Sequence, residues 1–83
     1  MESRIALIGI IVTDVTQSAK LNAILSEFGQ FIIGRMGLPH HRHGDEELAI
    51  ISVAVEAPQT KISALSGKLG MLEGVTAKVI YAG

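Results

Sequence analysis

The chain has 83 residues, 48% hydrophobic and 18% charged, with a formal net charge of −1, which bounds it to one small folding unit spanning residues 1–83. Seven Lys and Arg against eight Asp and Glu leave no electrostatic excess to displace counterions, so neither autonomous nucleic-acid binding nor adsorption to an anionic membrane is expected. Zero cysteines exclude disulfides, thiolate zinc sites, Cys-ligated iron–sulfur clusters and thiol nucleophiles.

Residues 4–13 open the chain with Ile5, Leu7 and Ile11 on one parity and Ala6, Ile8, Ile10 and Val12 on the other. A run of that length is too short to span a bilayer, and its β-branched content suits a strand covered on both faces better than a signal segment. A cytoplasmic protein is the expectation. Asp14 reads as an N-cap, with Gln17 completing a capping-box variant, and Leu21, Ile24, Leu25 and Phe28 form one helical stripe ending at a Gly29 cap. A second strand follows over residues 30–38, with Gly34 and Gly37 permitting a bulge or a close backbone approach.

Residues 40–47 are polar, contain Gly44-Asp45, and read as a hairpin connection to a third strand over residues 48–56. Pro58 opens a second helix on which Ile62, Leu65 and Leu69 recur, and Gly70 ends it. The last strand, residues 75–81, places Val75, Ala77, Val79 and Tyr81 on one side, with Thr76 and Lys78 on the other.

The order βαββαβ is the split βαβ signature of an α+β, ferredoxin-like sandwich. Right-handed crossovers put both helices on one face of a four-stranded antiparallel sheet. The opposite face is then bare, although strands one and three are apolar on both parities. Monomers rarely expose a patch of several hundred Å², so self-association through the open face, as a dimer or tetramer, is expected.

Three stretches, IALIGIIVTD (5–14), GRMGLP (34–39) and ISALSGKLGMLEGV (62–75), together resemble the small family of iron-only hydrogenase system regulators. Its members are ferredoxin-like, ACT-like chains similar to the C-terminal domain of the nickel-responsive regulator. The resemblance implies a regulatory or effector-sensing role linked to hydrogenase assembly, with small ligands held at interfaces between subunits. The nickel regulator's metal site uses histidines and a cysteine, and this chain lacks the cysteine.

Two clusters are candidate sites. Gly34, Arg35, Met36 and Gly37 suggest a ligand pocket where missing side chains let a small molecule approach the backbone and Arg35 pairs with a carboxylate or phosphate. The spacing is not a nucleotide fingerprint, and crowding relief at a crossing is the plainer account of the glycines. His40, His41 and His43 are the only cluster of metal-capable side chains; His41 and His43 share a face of an extended strand end and suit nickel or zinc, given further ligands from another subunit. A solvated hairpin rim is the plainer account there, and no cofactor is assigned. Gly67 inside the second helix suggests close packing. Catalysis is not expected: Ser26, Ser52, Ser63 and Ser66 lack a nucleophile motif, and no carboxylate is placed to orient a histidine.

Overall fold

The computed structural model describes residues 2–83, with Pro39 described by its backbone alone. Strand β1 (Arg4–Val12) leads through a 3-10 turn (Val15–Gln17) into helix α1 (Ser18–Glu27), and a second 3-10 turn (Gly29–Phe31) enters β2 (Ile32–His43). Strand β3 (Glu46–Ala57), helix α2 (Gln59–Gly70) and β4 (Val75–Tyr81) complete the expected βαββαβ order. The sheet order is β2-β3-β1-β4, antiparallel throughout. This is the ferredoxin-type sandwich of the α+β class.

The core follows from strand alternation. In β1, Ala6, Ile8, Ile10 and Val12 are buried while Ile5, Leu7 and Ile11 are exposed, and in β3 the buried set is Ala49, Ile51, Val53, Val55 and Ala57. Leu21 and Leu25 of α1, its C-cap Phe28, and Ile62, Leu65 and Leu69 of α2 pack onto that buried parity, so both helices cover the same sheet face. No helix among the described residues is long and apolar enough to cross a membrane.

Several boundaries differ from the sequence expectation. Asp14 caps the 3-10 turn rather than α1: its carboxylate accepts from the Thr16 amide at 3.1 Å and from the Thr16 hydroxyl, and α1 begins at Ser18. Gly29 is no left-handed cap, because among the described residues positive φ is confined to Gly44, Gly74 and Gly83; Phe28 takes the C-cap and the chain continues in a 3-10 turn. Pro58 precedes α2 as its N-cap instead of occupying the first helical position.

The largest difference is β2, which runs on to His43 and narrows the connection to Gly44-Asp45, with Gly44 supplying a φ of 65°. Proline has no amide to donate, and its place inside the strand is met by a register shift between Leu38 and His41 on an edge strand. The histidines therefore lie in a strand and not in a loop. A second shift, between Ile32 and Gly34, inserts Ile33 as an extra residue.

Candidate functional site

The register of β2 against β3 sorts the GRMG stretch onto two faces. Arg35 pairs with Val53 and Gly37 with Ile51, both on the helix-covered parity, whereas Gly34 pairs with Ala54 and Met36 with Ser52 on the bare one. The four residues proposed as one pocket are thus divided, two to a side, by the period of two inherent in a strand.

On the helix side, β2 borders an open groove of about 590 Å³ beneath α1, within the size range of small-molecule sites. Leu21, Ala49 and Ile51 supply apolar wall, and Ser18, Asn22, Arg35 and His40 supply polar groups. Arg35 Nη2 donates to Asn22 Oδ1 at 2.9 Å, which ties the guanidinium to α1 across the groove. Ser18 Oγ donates to the Val15 carbonyl at 2.8 Å, which leaves the oxygen's acceptor capacity unused by that bond. At the far end His40 Nδ1 lies 2.9 Å from Glu47 Oε1, leaving Nε2 free of that contact.

Gly37 is the more crowded of the two glycines in the stretch. A Cβ there would lie 3.1 Å from the Ile50 carbonyl oxygen and 3.4 Å from Ile51 Cγ1, so the crowding comes from the adjacent strand β3 and not from a crossing helix. At Gly34 the nearest atom to an added Cβ is Ala54 Cβ at 3.9 Å, so no crowding operates there. Gly67 also departs from expectation: an added Cβ meets nothing within 4 Å, and α2 shows no close packing at that position.

The three histidines are not brought together. His40 lines the groove, while His41 pairs with Leu48 and His43 with Glu46 along the bare-face parity of the hairpin. Among the described residues no group of three or more His, Cys, Asp or Glu is placed to hold a metal ion. Asn22, Ser18 and Leu21, the groove residues contributed by α1, were not signalled by the sequence; they become site residues only because β2 lies at the sheet edge beneath that helix.

No curated protein sequence matches the chain. Among solved structures, the uncharacterized protein TM1266 from Thermotoga maritima aligns with a TM-score of 0.86 at 30% identity, over 99% of this chain and 100% of that one. The ACT domain of the GTP pyrophosphokinase of Chlorobium tepidum aligns at 0.70 and 19% identity, over 96% of this chain and 89% of that one. CPII from Thiomonas intermedia K12, in a structure bound to ADP, AMP and acetate, aligns at 0.63 and 18% identity, over 100% and 93%. The last two share the fold. A family model described as TM1266-like, for proposed iron-only hydrogenase system regulators, matches residues 4–79, and with that match across the four strands and both helices the chain belongs to this family.

Proposed function

We propose that the chain is a non-catalytic regulatory module that senses a small anionic effector in the groove beneath α1, acting in the cytoplasm on an iron-only hydrogenase system. The observation that carries the reading is Arg35, held by Asn22 in the lining of a groove whose wall is partly apolar. A guanidinium has five donors, and the bond to Asn22 uses one of them, which leaves a fork for a carboxylate or phosphate. Apolar wall beside a single cationic anchor suits a ligand with an anionic end and an uncharged body. The family description supports the regulatory role, and CPII, of the same fold, binds ADP, AMP and acetate. A nickel or zinc module built on His40, His41 and His43 has weaker support, since those side chains are distributed over two parities of β2.

The test is calorimetric titration of purified protein with a panel of AMP, ADP, acetate and longer carboxylates, with nickel and zinc ions included. Binding of at least one anion, weakened tenfold or more by Arg35→Ala with unchanged thermal stability, is the expected result. Absence of binding across the anions, or equal binding by Arg35→Ala, overturns the reading.

A further inference from the structure

The sheet face opposite the helices carries two largely apolar rows that run across the strands. One row is Leu38, Ile50, Ile11 and Thr76, and a second is Gly34, Ala54, Leu7 and Ile80; the row between them, Met36, Ser52, Gly9 and Lys78, is mixed. Leu7, Ile11, Met36, Leu38, Ile50 and Ile80 are between 38% and 78% exposed, and a shallow apolar depression lies over Leu7, Ala54 and Ile80. We propose that a second copy of this chain covers this face in an isologous, sheet-to-sheet dimer.

Three observations select a second copy over another occupant. The first is area. Strands of 9, 12, 12 and 7 residues, at roughly 3.4 Å per residue and about 4.8 Å between strands, present about 650 Å². Two such faces bury about 1,300 Å², within the roughly 1,200–2,000 Å² of specific interfaces. The second is charge. Among the rows pairing all of β1, the face carries one acidic group, Glu56 beside Ile5, and one basic group, Lys78 beside Gly9, while the hairpin arm adds Glu46 beside His43 on the same parity. An isologous contact requires a self-complementary surface, and few charges of mixed sign meet that requirement without a strong single-signed field. A dedicated partner of single-signed charge would find no matching field here.

The third is the overhang of the β2-β3 hairpin. Pairing of β1 with β3 stops at Val12 and Ala49, so the hairpin beyond it toward Gly44 is only two strands wide. An isolated two-stranded hairpin is marginally stable in water. Leu48 continues the apolar line of Ile50 along the same parity, so the bare face extends onto this arm, and a partner seated there would support both. Sheets packed face to face sit about 10 Å apart with interdigitated side chains, which Gly9 and Ser52 at the centre permit.

Light scattering and sedimentation equilibrium test the proposal. At about 50 µM the wild type should run at twice 8.8 kDa or a multiple of it. Leu7→Glu and Ile80→Glu should each weaken association about 100-fold or more while keeping the wild-type circular dichroism. Met71→Glu, at an 86% exposed position at the end of α2, should leave the mass unchanged. Ile80 is on an edge strand and 66% exposed, so its variant decides the matter where Leu7→Glu fails to fold. A folded wild-type monomer at this concentration, or an assembly that Ile80→Glu leaves intact, overturns the proposal. Because the readout is mass, its failure is distinguishable from a failure of the effector groove.

Discussion

At Gly74 the backbone φ is 73°, and a Cβ would lie 2.7 Å from the Asp14 Cβ. The close approach exists because the Thr13 amide donates to the Gly74 carbonyl at 2.7 Å and the Thr13 hydroxyl to the same oxygen at 3.1 Å, clamping the end of β1 to the start of β4. Gly74→Ala therefore meets both an unfavourable backbone region and a clash, and should destabilise by about 1–3 kcal/mol, seen as a melting temperature lower by roughly 5 °C or more. Gly67→Ala is the opposite case: the position lies within α2 with open space around it, and alanine should stabilise by about 1 kcal/mol, a rise of roughly 4–8 °C. Beside the clamp, the Thr16 hydroxyl, and then its amide, hold the Asp14 carboxyl below the usual carboxylate range. A depressed folded value stabilises above the unfolded pKa of about 3.9 and is lost as pH falls through the folded value. Asp14→Asn keeps a capping oxygen without the charge, so urea midpoints of variant and wild type should differ at pH 6 and converge in acid; parallel curves down to pH 2 would remove Asp14 from the acid limb.

Strand β2 is the element on which the sequence was least legible. Its last residues, His40 to His43, carry no apolar alternation because they sit on an arm that nothing in the single chain covers, and burial is what writes a period into a strand. Pro39 also reads as a terminator, yet an edge strand with a bulge tolerates a missing donor. By contrast β1, α2 and β4 emerge nearly residue for residue, since each has a regular apolar stripe, fully buried in β1 and α2 and mostly half-buried in β4. In the groove, Arg35 is a residue that the nearby glycines single out, but its neighbours on α1 are 13 or more residues away in sequence and share no pattern with it. Alternation alone would have separated Met36 from Arg35. The arm also bears on the histidines: His40 and Glu47 form a contact with 77% and 40% side-chain exposure, a class of pair worth about 0–1 kcal/mol. Replacing His40, His41 and His43 together with alanine should shift the melting temperature by no more than a few degrees, and chelator should leave the wild type unchanged. A large loss on chelation would instead make the arm a metal-dependent element.

For the molecule as a whole, the decisive quantity is how much of an 83-residue chain is covered. A domain of this size buries only about 60% of its extended-chain surface by itself, and this one leaves Ile and Leu side chains of its two central strands facing outward. Covering that face with a second copy, as proposed, would couple association to folding, so stability would acquire a concentration dependence that a monomer lacks. Each tenfold dilution costs the dimer about 1.4 kcal/mol. With an unfolding entropy of roughly 2.1 cal/mol/K per residue over two chains of 83 residues, that corresponds to a melting temperature lower by about 4 °C per decade. Calorimetric scans from about 5 to 500 µM should show the drift in the wild type and its absence in Ile80→Glu. The same strand that shows Met36 and Leu38 to the bare face shows Arg35 and Gly37 to the groove, so an anion bound at Arg35 would act on an element shared with the proposed interface. Salt separates the two surfaces: the apolar face should hold its mass between about 50 and 500 mM sodium chloride, while anion affinity at the exposed guanidinium falls as screening shortens the Debye length from roughly 14 to 4 Å.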